Sequence, residues 1–210
     1  MIKIAVLVSG NGSNLQALMD ANLSGEIVGV ISNKPEAYAL ERAKKANIKT
    51  VVIEHKHYPT REAFDAVMHQ QLLDWDIDLV VLAGFMRILS AEFVHNWEGK
   101  MLNIHPSLLP HYKGMHTHQR VLNTGDTLHG CTVHYVTTEL DAGQSLTQGV
   151  LRVGLHDTVD SLADRVHTLE HLIYPQAVEW ICNGTIRYLK NGQVLYKGQQ
   201  LEQPIQFCKF

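Results

Sequence analysis

The chain has little cysteine, no long apolar run and no excess of either charge. Its three cysteines, Cys131, Cys182 and Cys208, are an odd number without Cys-x-x-Cys spacing, which argues against a disulfide framework and against a zinc ribbon. No apolar stretch approaches the roughly 18 residues that a membrane span needs, so no membrane association is expected. With 18 basic and 21 acidic residues and a formal net charge of -3, the chain lacks the basic footprint of a nucleic-acid binder. The opening run from Met1 to Val8 has no small-residue cleavage site of a signal peptide and turns directly into Ser9-Gly10, so the expected setting is the reducing cytoplasm. Repeats, low-complexity tracts and linkers are also missing. One domain is therefore expected from 210 residues, enough to bury a real core. What the chain has in quantity is histidine: 13 residues, six of them between His105 and His134.

Short β-branched runs alternate with amphipathic stretches through the first half. Residues 3–9, 27–32, 50–53, 79–83 and 101–105 are brief and apolar on both alternations, the pattern of strands buried on both faces of a parallel sheet. Helices are expected at 15–21, 36–46, 61–74 and 91–97. In the third, Phe64, Val67, Met68 and Leu72 form the apolar stripe, with Glu62, Asp65 and Gln70 interleaved. The alternation predicts an α/β fold of βαβ units: a mostly parallel central sheet with helices on both faces. After Pro106 the chain is loop-like, then a short helix is expected at 117–123, strands at 130–136 and 145–153, and a long helix at 158–180. Asp157 is the expected cap of that helix, and Pro175 is expected to kink or bound it. The tail from Thr185 alternates loosely, with Asn191-Gly192 as a hairpin turn.

Three local patterns bear on chemistry. Ser9-Gly10-Asn11-Gly12-Ser13-Asn14 joins the first strand to the first helix, where glycines admit a ligand to the backbone and the helix N-terminus attracts an anion. It is neither a Walker A loop, since no Gly-Lys-Ser/Thr follows, nor a GxGxxG fingerprint, since the third glycine position is Leu15. A phosphate of a mononucleotide-sized ligand suits it; a tight turn capped by Ser13 or Asn14 would use the same residues. Next, Asn103 and His105 are two apart on a probable parallel strand, so both side chains take the same face at the carboxyl end that borders a ligand crevice. Amide and imidazole together suit an oxyanion; a structural histidine is the plain alternative. Asp141, if the fold brings it to His105, would favour the imidazolium and raise its pKa. Third, His116-Thr117-His118 is a possible metal-ligand pair, but it lacks HExxH context, a Cys/His cluster and a convincing third ligand, so no metal is expected. Ser107 lacks a Gly-x-Ser-x-Gly elbow, and Cys131 reads as a packed strand residue.

Taken together, Ser9–Ala17, Leu82-Ala83-Gly84-Phe85-Met86-Arg87-Ile88-Leu89, Leu102–Pro110, Glu139-Leu140-Asp141 and Glu170–Pro175 occur in an order that resembles the phosphoribosylglycinamide formyltransferase family of folate-dependent enzymes. The resemblance runs from the first strand to about Trp180. It implies a single Rossmann-like formyltransferase domain over residues 1–184, with a phosphate-binding N-terminal half and a folate and catalytic C-terminal half; residues 185–210 would be an extension packed on the same domain. It further implies transfer of formyl from 10-formyltetrahydrofolate, as co-substrate, to the amine of glycinamide ribonucleotide. Catalysis would fall to Asn103, His105 and Asp141. Gly12, Ser13 and Asn14 would cradle the substrate phosphate, and His167, Thr168, Leu169 and Glu170 would line the rest of that site. Arg61, Met86, Arg87, Ile88, Leu89, Asn103, Thr137, Thr138, Glu139, Leu140 and Asp141 would meet the folate. The expected partners are these small molecules alone, on a monomer or weak homodimer.

Two positions depart from the family pattern. Asp-x-Gly is commonly followed by proline, and here Gln144 stands in its place, with an added N–H and a freer φ. His167 occupies a place where glutamine is frequent. The alternatives are a formyltetrahydrofolate hydrolase, in which a phosphate loop has no use, and a non-catalytic nucleotide or folate sensor on the same fold, which has no need of the Asn-His-Asp group. A formyltransferase acting on tRNA would want a basic domain that is missing here.

Overall fold

Five parallel strands organise the first hundred residues: β1 (Lys3–Val8), β2 (Glu26–Ser32), β3 (Lys49–Val52), β4 (Leu79–Leu82) and β5 (Met101–His105). They run in the order β3-β2-β1-β4-β5, and every neighbouring pair is parallel. The structure is a computed structural model that describes residues 1–209, and it divides into two compact units that meet in sequence after Asn103. In the first unit, β1 and β4 are buried almost throughout, as apolar strands in mid-sheet must be, while β3 at the edge is exposed at both ends and half-buried between. Helices α1 (Ser13–Asp20), α2 (Tyr38–Lys45), α3 (Arg61–Asp74) and α4 (Ala91–Asn96) alternate with the strands. Helix α2 starts two residues later than its periodicity suggests, because a turn closed by the Ala37 N–H on the Lys34 carbonyl (3.3 Å) holds Glu36 outside it.

Helix α3 buries Phe64, Met68 and Leu72 at a spacing of four, and leaves Val67 largely exposed. Asp65, which its spacing assigned to the polar face, is instead buried at 2% exposure. The reason is a specific partner: its Oδ2 accepts the Ser90 backbone N–H at 2.5 Å. A buried carboxylate tolerates its surroundings only with such a donor.

The second unit carries the antiparallel pair β6 (Leu128–Tyr135) and β7 (Ser145–Arg152), preceded by α5 (Thr117–Thr124). Helix α6 (Val159–Cys182) packs on both strands. Pro175 neither ends nor bounds it; the helix runs on for seven residues, and proline forfeits only the one bond that its missing N–H would make. Its cap is Thr158 rather than Asp157. Thr158 Oγ1 accepts from Ser161 N (3.2 Å) while Thr158 N donates to Ser161 Oγ (2.9 Å), a capping box. Asp157 serves the preceding turn, accepting from Gly154 N at 2.7 Å and from Arg165. The tail forms a small antiparallel sheet, β8 (Ile186–Tyr188), β9 (Val194–Tyr196) and β10 (Gln199–Gln200), with Asn191-Gly192 in the β8–β9 turn. It ends in β11 (Ile205–Lys209), which adds to β7 in parallel. Among the described residues no helix is long and apolar enough to cross a membrane.

Candidate active site

The loop after β1 is shaped by contact with α2. Gly12 has φ 79°, and a Cβ there would lie 2.5 Å from the Ala39 Cβ, so both its conformation and its surroundings demand glycine. Gly12 is itself the N-cap of α1 and brings no capping side chain. Ser13 and Asn14, expected as caps under the plain reading of the loop, lie inside the first turn instead. Arg42 of α2 braces the loop, with Nε on the Asn11 carbonyl and Nη2 on Asn11 Oδ1, both at 2.9 Å. First-turn N–H groups without a capping side chain are what an anion meets at a helix start.

Ser9 links this loop to the segment Met86–Leu89. Its Oγ donates to Asn33 Oδ1 (2.6 Å) and accepts from Met86 N (2.8 Å). At the other end of the segment, Ser90 is held through its N–H by Asp65 and caps α4 through its Oγ. The stretch is thus pinned at both ends while Met86 and Ile88 stand 70% and 63% exposed. Arg61 opens α3 behind the Thr60 cap and shares a cavity of about 250 Å³ with Arg87, His55, Tyr58 and Phe64. Two guanidinium groups on one cavity suit a carboxylate.

In the second unit, His105 and Asp141 come together. Nδ1 of His105 lies 3.4 Å from Asp141 Oδ2, and both side chains are less than a tenth exposed. Asp141 holds a left-handed backbone (φ 50°), and its Oδ2 also accepts the Gly114 N–H at 2.9 Å. The other ring nitrogen of His105, Nε2, is 2.9 Å from the Tyr112 carbonyl. Both ring nitrogens therefore face acceptors, an arrangement that suits a ring carrying two protons. Asn103 precedes on the same strand at the spacing that gives the two side chains one face. The loop 137–141 is steadied by Thr137 Oγ1 on the Glu139 carbonyl (3.1 Å) and by Glu139 on Lys113 Nζ (3.0 Å); Thr138, Glu139 and Leu140 are exposed. Gln144 uses the freedom that proline would deny it: its Nε2 donates to the Leu201 carbonyl at 3.3 Å, tying the end of this loop to the tail.

His134 is a residue that no sequence pattern singled out. Its Nε2 lies 3.8 Å from Asp141 Oδ1, so the carboxylate sits between two imidazoles. Burial pushes the His134 pKa down. A second pair, His118 Nδ1 and His129 Nε2, meets at 2.9 Å, and burial with the His118 charge drives His129 down to about 4. Alternation could not have hinted at the first of these, because β6 is buried on both faces from His129 to Tyr135.

On α6, His167 and Thr168 are exposed and Glu170 is buried at 5%. The His167 ring stacks on His171 at 6.5 Å, while Thr168 Oγ1 donates back to the Asp164 carbonyl (3.1 Å). Leu169 is the exception in this set: its side chain packs over Gly149 of β7, where an added Cβ would come within 2.9 Å of it. It belongs to the core and offers no side-chain contact to a ligand. Among the described residues no group of three or more His, Cys, Asp or Glu side chains is arranged to hold a metal ion.

These features define an α/β fold with polar side chains at the carboxyl ends of parallel strands. The chain belongs to the formyl transferase family, which residues 2–178 match. It is 45% identical over 204 residues to the phosphoribosylglycinamide formyltransferase of Escherichia coli (strain K12), covering 95% of this chain and 96% of that protein. The solved phosphoribosylglycinamide formyltransferase of Coxiella burnetii superposes with a TM-score of 0.94 at 46% identity, over 98% of this chain and 99% of that one. The trifunctional purine biosynthetic protein adenosine-3 of Bos taurus is 48% identical over 198 residues, 92% of this chain. The chain spans about a fifth (20%) of that trifunctional relative's length.

Proposed function

We propose that the protein transfers the formyl group of 10-formyltetrahydrofolate to the amine of N1-(5-phosphoribosyl)glycinamide, a step of purine biosynthesis. The observation that carries this reading is the buried His105–Asp141 couple at the end of β5, with Asn103 on the same face of the strand. Attack of the amine on the formyl carbon develops an oxyanion. Asn103 and a protonated His105 donate to it, contacts worth about 3–4 kcal/mol for each donor lost. Asp141 balances the imidazolium charge and steadies a water that carries the proton from the attacking amine to the departing nitrogen.

The remaining roles are those that the family resemblance implies, and the chemistry of the residues suits them. Gly12, Ser13 and Asn14 would meet the substrate phosphate through first-turn N–H groups. Glu170 would accept from ribose hydroxyls, beside His167 and Thr168. Arg61 and Arg87, on one cavity, suit the carboxylates of the folate glutamate. Met86, Ile88 and Leu89 offer apolar surface and main-chain groups to the pteridine ring, over which Thr137–Asp141 would close. Residues 1–184 would form the catalytic domain and 185–210 its extension.

The deciding assay follows formate and formylated product from 10-formyltetrahydrofolate, with and without glycinamide ribonucleotide. Product formation that requires the ribonucleotide is expected. Formate release at one rate under both conditions would replace this reading with a hydrolase.

A further inference from the structure

The contact between His105 Nε2 and the Tyr112 carbonyl selects one nitrogen of the ring for work. A carbonyl oxygen only accepts, so at 2.9 Å the Nε2 must carry a proton and give it to Tyr112. That leaves Nδ1 as the nitrogen turned toward Asp141. The choice is only as firm as the backbone at residue 112, and that backbone is unusual. Tyr112 has φ 55°, the left-handed region, which bulky side chains seldom hold unaided.

What holds it is the end of α5. The Tyr112 hydroxyl donates to Asp126 Oδ2 (2.5 Å) and lies 2.6 Å from Thr124 Oγ1, whose own contacts run back to the Arg120 and Val121 carbonyls. The Arg120 guanidinium sits 5.2 Å above the Tyr112 ring, and its Nη1 donates to the Lys113 carbonyl at 2.7 Å. Three side chains of one short segment thus clamp residues 112 and 113.

We propose that Tyr112 is a positioning residue for the reaction: anchored by Asp126, Thr124 and Arg120, it presents its carbonyl to His105 Nε2 and so makes Nδ1 the nitrogen that serves the oxyanion and exchanges with Asp141. The inference rests on the catalytic role proposed for His105, and it adds a tether that reaches the site through a main-chain atom. A slack tether lets the ring rotate and opens its Nε2 proton to exchange with solvent. Misplacement of this order costs rate rather than affinity.

The test is Tyr112→Phe, which keeps the ring under Arg120 and removes the hydroxyl anchor. We expect kcat to fall about 10- to 100-fold with KM for both substrates within about twofold. In the substrate-free protein labelled with nitrogen-15, the parent His105 ring should show a persistent Nε2–H, and the variant a mixture or exchange-broadened signal. Asp126→Asn, which retains a hydrogen-bond acceptor but not the charge, should move both readouts in the same direction by less, and it stands in if the first variant does not fold. Unchanged kcat, a loss expressed in KM, or an unaltered ring signal overturns the proposal. The ring signal needs no substrate, so it judges the tether even if formyl transfer were itself not found.

Discussion

At the glycine loop the groups proposed to meet a ligand are main-chain N–H groups, and what places them is the absence of a side chain at Gly12 against Ala39. At the end of β5 they are side chains, and His105 is placed by two groups outside its strand: the Asp141 carboxylate and the carbonyl of Tyr112. A backbone-built site is indifferent to the chemistry of neighbouring side chains and intolerant of one extra carbon. A side-chain-built site is the reverse, since its shape survives substitutions that remove its chemistry. The contrast predicts that damage at the first shows in binding and stability, and damage at the second in turnover.

The largest effect should come from His105→Ala. With one oxyanion donor gone, kcat is expected to fall about 10²- to 10³-fold while affinity for glycinamide ribonucleotide stays within about threefold. Steady-state kinetics beside calorimetric binding will separate the two, and a loss borne by affinity would erase the contrast drawn above. Next in size is the acid sensitivity of the second unit. His129 is held neutral in the fold, with its pKa depressed from 6.5 to about 4 by burial and by His118. Its contribution is complete above the unfolded value and is lost as pH falls from 6.5 toward 4, amounting to roughly 3 kcal/mol at most. Urea unfolding across that range should follow this slope, and His129→Gln should flatten it; a parent curve already flat would remove the buried neutral ring from the account. The smallest effect is expected from Gly12→Ala, which sets a methyl against Ala39 in a left-handed backbone. Stability should drop by about 1–3 kcal/mol and KM for the ribonucleotide should rise severalfold, with kcat within about twofold. A large fall in kcat with KM intact would mean that the loop takes part in the chemistry.

Much of the fold was legible because its signals are short-range. Both-face apolar runs located β1, β4 and β5, and Gly125 ends α5 at Thr124. The site was legible where one strand carries it, as with Asn103 and His105. Asp141 could be named only on the condition that the fold brought it to His105, since no spacing rule connects the two. Tyr112 was invisible for a different reason: it acts through a carbonyl that every residue possesses, aimed by a positive φ that no tyrosine advertises. Asp65 and Asp157 misled in opposite directions. Helical periodicity put the first on the surface, and a backbone N–H from Ser90 drew it inside; capping preference put the second at the start of α6, and Thr158 with Ser161 took that place.

By itself, the sequence determined the alternation of strands and helices, the glycine at the start of α1 and the pairing of amide with imidazole on β5. These depend on periodicity and on local steric limits, which act over a few residues. Only the tertiary structure decided that Asp141 lies between His105 and His134, that Gln144 reaches the tail and that the Tyr112 carbonyl meets His105 Nε2. Hydrogen bonds are directional and close in range, so they are settled by where distant segments come to rest and not by the order in which the residues are written.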